Sequence, residues 1–339
     1  MTSREIVKRC IEFRDPPRIA MHFRTDPVEG RIWDESDFAG VSVRVDPRFQ
    51  RKPGQMEWVN EWGVTRRAIN TGLGEAVAFP LAEGWHKLDT YAFPDFNAQS
   101  RYAGVAESVA EHHAAGKYVF GAVPSLMLLP ISLRGMENWF MDNASEQEKL
   151  CRLLDRIMEA RRIIIKRFAQ IGVDGVITYD DMGTGDRCLV SPQTFRKIYF
   201  PRYKETCDQL HEHEMHFIHH CCGQVSEYME LFVEAGCDVL QLDQPTLMGI
   251  DWLGQNYGGK LCFWNCVDIQ STMGSGDLNA IDDEARYQVW RLGNFRGGFM
   301  VKAYQQPGDI GITAEQVDRQ YHAFKRVASY PLQVLHSKE

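Results

Sequence analysis

The chain has 339 residues, 44% of them hydrophobic and 25% charged, which is the mixture of a globular protein with a sizeable core and excludes an intrinsically disordered chain. Lys and Arg total 38 against 46 Asp and Glu, a net charge of −8, so the electrostatic footprint of a nucleic-acid binder is missing. The same balance repels a polyanionic substrate unless a local basic pocket compensates.

The first ten residues carry charges throughout and hold no apolar leader stretch. The most apolar run, 118–131, is too short for a membrane span and is interrupted by Pro124 and Pro130. Nine cysteines, an odd number, argue for free thiols in a reducing cytoplasm over a disulfide framework.

In chain order, Thr2 or Ser3 caps an opening helix with Ile6, Cys10 and Phe13 at helical spacing, stopped by Asp15-Pro16-Pro17. Residues 18–23 read as a first strand. Residues 24–100 are rich in Pro, Gly, Asp and Trp without a long periodic helix; a structureless loop of that length is improbable, so short strands are expected there, with 76–81 one of them. From residue 100 the pattern regularises into helix–strand pairs: 103–115 then 118–123, 146–171 then 175–179, 192–211 then 216–220, 225–235 then 238–242, 249–257 then 260–265, 277–292 then 298–302, and a closing helix 313–327. The strands are continuous apolar runs, as in a parallel sheet covered on both faces. Seven strands are recognisable and an eighth is expected within 24–100. Eight units make a (β/α)8 TIM barrel and seven or fewer a doubly wound sheet; length favours the barrel, with 24–100 as an elaboration of a single barrel domain spanning 1–339.

Barrel chemistry sits where strands end. Here those ends carry Asp180-Asp181, His219-His220-Cys221-Cys222-Gly223, Asp243-Gln244, Cys266 with Asp268, and Tyr304-Gln305-Gln306. Alternation along a strand turns His220 and Cys222 one way and His219 and Cys221 the other. An imidazole and a thiolate side by side form half of a zinc site; the alternative is a buried cysteine beside a core histidine. Inward residues of alternate barrel strands share a layer, which makes Cys266 the expected third ligand, with Asp181 or Gln305 as alternatives and Cys262 too deep. Asp180 and Asp181 are the expected catalytic carboxylates. Only one of them faces inward, and Asp181 is favoured because it leads into the turn Gly183-Thr184-Gly185, which allows close approach by a ligand; the other then caps a loop. Asp243, Tyr304 and Gln305 are expected to contact substrate. The glycine turn is no dinucleotide fingerprint, and no Walker, G-x-S-x-G or H-E-x-x-H sequence occurs. Trp58, Trp62, Phe79, Trp85, Tyr91 and Phe93 read as packing, with an aromatic lid over the mouth as the functional alternative.

Several blocks, in order, resemble the uroporphyrinogen decarboxylase-like superfamily, which includes cobalamin-dependent methyltransferases and O-demethylases. They are Ser3-Arg4-Glu5 with Pro16-Pro17-Arg18-Ile19, Glu61-Trp62-Gly63, Tyr91-Ala92-Phe93-Pro94-Asp95, Gly172-Val173-Asp174-Gly175, Phe200-Pro201-Arg202-Tyr203, His220-x-Cys222-Gly223, Glu234-Ala235-Gly236-Cys237-Asp238 and Gly297-Gly298-Phe299. The resemblance implies a (β/α)8 barrel. The Arg-Gln-Ala-Gly-Arg segment of true decarboxylases is replaced by His22-Phe23-Arg24-Thr25-Asp26-Pro27, whereas His220 and Cys222 match the first two zinc ligands of the methyltransferase branch. Where that branch places a later cysteine, this chain has Tyr304-Gln305-Gln306. The resemblance thus implies zinc-assisted methyl transfer between a small methylated compound, such as a methoxy-aromatic, and cobalamin on a partner corrinoid protein, with no nucleic acid or membrane involved. The rivals are a metal-independent decarboxylase on the same barrel and a binding barrel that kept the fold without the chemistry.

Overall fold

A computed structural model describes residues 1–23, 36–69 and 74–331. Among these residues eleven strands follow in chain order: β1 (Ala20–His22), β2 (Phe38–Val41), β3 (Glu57–Val59), β4 (Thr65–Ala68), β5 (Gly74–Ala78), β6 (Tyr118–Ala122), β7 (Gly175–Tyr179), β8 (His216–Cys221), β9 (Val239–Leu242), β10 (Cys262–Asn265) and β11 (Phe299–Lys302). Eight of them form one sheet in the order β1-β11-β10-β9-β8-β7-β6-β2, every pairing parallel. This is the expected (β/α)8 barrel, nearly closed.

The seam lies between β1 and β2, where a buried carboxylate replaces the strand ladder. Asp37 N donates to Met21 O at 2.8 Å, Met21 N donates to Asp37 Oδ2 at 2.8 Å, and Arg18 grips both Asp37 oxygens at 2.7 Å. Among the described residues no helix is long and apolar enough to cross a membrane.

The helices stand where the periodicity of 3.6 puts them, among them Val105–Ala114, Gln147–Ile171, Phe200–His211, Met229–Ala235, Ile250–Tyr257, Leu278–Leu292 and Ala314–Val327. The region 24–100 holds the short strands expected of it. The strand expected at 76–81 is β5, and it lies outside the barrel in a three-stranded antiparallel sheet with β3 and β4. The eighth barrel strand, expected within 24–100, is β2, Phe-Ala-Gly-Val, whose small and polar neighbours Asp37 and Ser42 leave no longer apolar run to mark it. Leu81, Leu88 and Phe96 from this region join the same buried cluster as the helix layer. Residues 24–27, which occupy the place of the decarboxylase arginine motif, lie outside the described residues.

Two apolar layers follow from the alternation of side chains. The inner one fills the barrel with Phe38, Tyr118, Ile177, Ile218, Val239, Cys262, Trp264 and Met300, the Phe38 and Trp264 rings stacked 4.3 Å apart. The helix Ser3–Ile11 presses Ile6, Val7, Cys10 and Ile11 into that layer and so plugs the N-terminal end of the barrel. The outer layer joins the strands to the helices. Gly121 shows how tight this packing is: a Cβ there would lie 2.4 Å from the Phe168 ring.

At the plugged end Asp174, 2% exposed, accepts from Arg4 Nε at 2.7 Å and from Val119 N at 2.9 Å, with His113 Nε2 at 2.9 Å. Burial pushes its carboxyl up, but Arg4, the Val119 amide and His113 more than offset this and hold it below the usual range. A carboxyl depressed in the folded state stabilises the protein above its unfolded pKa of about 3.9, and that contribution fades as pH falls through the folded value. Asp174→Asn is therefore expected to lower unfolding free energy at pH 7 by about 1–2 kcal/mol, the loss of charge-assisted hydrogen bonds from Arg4 and the Val119 amide, with Arg4 and Lys8 themselves still reaching solvent. Urea titrations should show the gap between variant and wild type narrowing below about pH 4; a gap independent of pH would mean that the charge of Asp174 contributes nothing.

Candidate metal centre

The open end of the barrel is polar. Inward positions of successive strands bring Tyr179, His220, Gln241 and Lys302 to the rim, with Asp181, Cys222, Asp243, Cys266 and Tyr304 just beyond them. His220 lies beside Tyr179 on β7 and beside Gln241 on β9 in parallel register. The expected facing of the His-x-Cys segment holds. His219 and Cys221 turn into the helix layer, where the His219 ring stacks on Tyr203 at 5.0 Å and meets Phe232 edge-on at 4.8 Å.

His220 Nε2 lies 3.6 Å from Cys222 Sγ and 3.7 Å from Asp181 Oδ1, and the donor atoms of all three residues fall within 4.8 Å of one another. Tetrahedral zinc, with ligand bonds of about 2.0–2.3 Å, requires donors separated by roughly 3.4–3.8 Å. The Asp181 side chain is 49% exposed, yet its Oδ1 is shielded from solvent without a donor in bonding geometry. A buried carboxylate oxygen without a partner is costly, and a cation between it, the imidazole and the thiol removes that cost. Burial pushes the Cys222 thiol up, Asp181 and Asp243 adding to the effect, and burial pulls His220 down. A neutral imidazole is the ligating form, and metal coordination deprotonates a neighbouring thiol. Nitrogen, sulfur and oxygen from three residues with a fourth position open are the donor set of a catalytic zinc site, so the residues fit the metal.

Cys266 stands outside this cluster. Its buried thiol donates toward Asp243 Oδ1 at 3.6 Å. Asp243 in turn is ion-paired with Lys302 Nζ, the two side chains being 3% and 9% exposed. Burial opposes charge on both, but each partner outweighs it, holding Asp243 low and Lys302 high. The substrate-contact positions divide: Asp243 is buried in this pair, Tyr304 is half-buried with its ring 5.9 Å from Lys302 Nζ, and Gln305 is exposed.

Of the two carboxylates expected to act in catalysis, Asp180 is fully buried and saturated. It accepts from the amides of Leu126, Met127 and Leu128 at 3.1, 2.8 and 3.1 Å and from the Tyr203 hydroxyl at 2.6 Å. These amides open the helix Leu128–Arg134, whose own N-cap offers no side-chain acceptor, so Asp180 supplies the missing cap from another strand. Asp181 alone faces the cluster.

The glycine turn after it serves a different purpose from the expected ligand approach. A Cβ on Gly183 would lie 2.5 Å from Gln224 O, and one on Gly223, at φ +89°, would lie 2.1 Å from Gly183 O. These glycines let the loops after β7 and β8 touch, which brings Asp181 to His220 and Cys222. Asp268 and Gln244 tie neighbouring loops: Asp268 accepts from Thr246 N at 3.2 Å, and Gln244 accepts from Gly223 N at 3.0 Å.

Two residues at the mouth escape sequence reasoning, Gln241 and Lys302. Each is an inward polar side chain within a four-residue apolar strand, and that break in the pattern was the available signal.

An eight-stranded parallel barrel with helices outside and polar strand ends at one mouth is the architecture of the (β/α)8 class. The chain belongs to the uroporphyrinogen decarboxylase (URO-D) family, whose model matches residues 80–285. No curated protein matches the sequence. Among solved structures, a methyltransferase from Methanosarcina mazei is similar in fold, with a TM-score of 0.70 at 15% identity over 96% of this chain and 99% of that one. A D-psicose 3-epimerase (TM-score 0.43, 11% identity, 71% of this chain and 85% of that one) and a chitinase from Chromobacterium violaceum (0.43, 9%, 91% and 98%) are more distant.

Proposed function

We propose that the protein is a zinc-assisted methyltransferase that moves a methyl group between a small methylated compound, such as a methoxy-aromatic, and cobalamin carried on a separate corrinoid protein. The observation that carries this reading is the cluster of Asp181, His220 and Cys222 at the barrel mouth. The URO-D family and the fold of the M. mazei methyltransferase support it.

Asp181, His220 and Cys222 would hold the zinc. The metal supplies Lewis acidity, which draws charge from the leaving oxygen of an ether or stabilises a thiolate at neutral pH. The protein does the rest. In demethylation the methyl group leaves as a formal methyl cation, its acceptor supplies the bonding electron pair, and the released oxygen takes up a proton. Tyr304 and Gln305, which follow β11 at the mouth, would orient the small molecule there. Lys302, anchored by Asp243, sets a fixed positive charge near Cys222, whose thiol would become anionic on binding the metal. Asp180 acts on position alone, holding the 126–128 turn at one side of the mouth. Nine free thiols support placement in a reducing cytoplasm.

The test is the purified protein, with and without prior chelation, mixed with cob(I)alamin and a panel of methoxy-aromatics, methylamines and methylthiols. Methylcobalamin formation that is lost on chelation and restored by zinc is the expected result. Release of carbon dioxide from a carboxylic acid by the chelated protein, without methyl transfer to cobalamin from any donor, would favour the metal-independent decarboxylase instead.

A further inference from the structure

The structure assigns a positioning role to Gln241, a residue outside the ligand cluster: it selects which ring nitrogen of His220 is free to bind metal. This inference rests on the metal reading of the mouth.

The geometry begins with the strands. Gln241 on β9 and His220 on β8 are register partners in the parallel ladder, so their side chains leave the sheet on the same face, one strand apart. Gln241 is buried, 5% exposed, and its Oε1 lies 3.0 Å from His220 Nδ1. A neutral imidazole has one N–H and one lone pair. The amide oxygen only accepts, so this contact places the hydrogen on Nδ1 and leaves the lone pair on Nε2. That nitrogen is the one 3.6 Å from Cys222 Sγ and 3.7 Å from Asp181 Oδ1. Without the acceptor the imidazole would also populate the tautomer with hydrogen on Nε2, which offers no lone pair to the cluster, and the ring would be freer to turn. The β8–β9 ladder continues on both sides of the pair, from Ile218–Val239 to Cys221–Leu242, so the acceptor stands on a rigid frame. Partners of this kind change metal affinity by about 10–100-fold when removed.

The experiment is equilibrium zinc binding by the full chain in competition with a chromophoric chelator, repeated with cobalt(II), whose sulfur-to-metal absorption reports whether Cys222 is bound. Gln241→Leu is expected to weaken zinc by about 10–100-fold while the cobalt–thiolate band persists at saturation. Gln241→Glu, which keeps an acceptor at the same reach, should bind zinc at least as tightly as wild type. Equal affinity in Gln241→Leu and wild type would overturn the inference, as would equal losses in Gln241→Leu and Gln241→Glu, which would mark a packing effect. A wild-type chain that binds no zinc would overturn the metal reading itself and this inference with it. Tight zinc in wild type with unchanged affinity in Gln241→Leu would overturn this inference alone.

Discussion

Replacing Cys222 by Ser, or His220 by Ala, is expected to remove stoichiometric zinc from the protein, whereas Cys266→Ser is expected to keep it. Both outcomes follow from where the donors lie. His220 Nε2, Cys222 Sγ and Asp181 Oδ1 converge at separations suited to one tetrahedral ion, and the Asp181 oxygen is already desolvated without a donor. Deleting a direct ligand from a three-residue site should cost more than the roughly hundredfold that an outer partner costs. Cys266 points its thiol at Asp243, 3.6 Å away, and that carboxylate is already occupied by Lys302. Asp181→Asn keeps an oxygen at the site but loses its charge, so it should weaken zinc without abolishing it. Metal content after gel filtration, followed by chelator competition, measures all four variants. Loss of zinc in Cys266→Ser to the same extent as in Cys222→Ser, with Asp181→Asn unchanged, would transfer the third ligand position from Asp181 to Cys266.

Lys302→Met is expected to destabilise the fold by about 3–5 kcal/mol, because it leaves the Asp243 carboxylate buried and unpaired. Lys302 and Asp243 are 9% and 3% exposed, and the barrel beneath them is filled by Met300, Trp264 and Val239, so the remaining carboxylate would stay largely shielded from solvent. Asp243→Leu alone should be costly for the converse reason. Both charges came out of water on folding, however, and their mutual attraction mainly offsets that desolvation. The double variant Lys302→Met, Asp243→Leu should therefore recover most of the loss and stand within about 1–2 kcal/mol of wild type. Urea unfolding of the four proteins closes this cycle. If Lys302→Met unfolds at the wild-type midpoint, the pair is not desolvated in solution. A stable double variant would also provide a folded protein in which the fixed charge at the mouth has been removed.

Much of this protein was legible in the sequence because it repeats. Helices and buried strands carry their own periods, so the alternation from residue 100 onward gave the barrel, and seven of its eight strands lie where apolar runs predicted them. The exception, β2, spans only Phe38–Val41 and is recruited by its ladder to β6 and by the Asp37 seam, neither of which has a local signature. The strand expected at 76–81 has strand composition, but composition says nothing about which sheet a strand joins.

The mouth divides along the same line. Alternation within one strand is a local rule, so the shared facing of His220 and Cys222, and the opposite facing of His219 and Cys221, could be read directly from the residues. The third member of the cluster depends on how the loop after β7 sits against the loop after β8. That contact exists because Gly183 and Gly223 approach more closely than any side chain would allow. Layer arithmetic alone pointed to Cys266, whose thiol the buried charge of Asp243 draws away from the cluster. Asp180 and Asp181 are adjacent in sequence and equal in chemistry; only the fold gave one to the cap of the helix Leu128–Arg134 and left the other facing the cluster. The sequence by itself determined the barrel and the shared facing of His220 and Cys222, because both follow from periods along the chain. Tertiary structure decided the third donor, the Asp243–Lys302 pair and the Gln241 contact, because each joins atoms from different strands whose relative stagger no local pattern encodes.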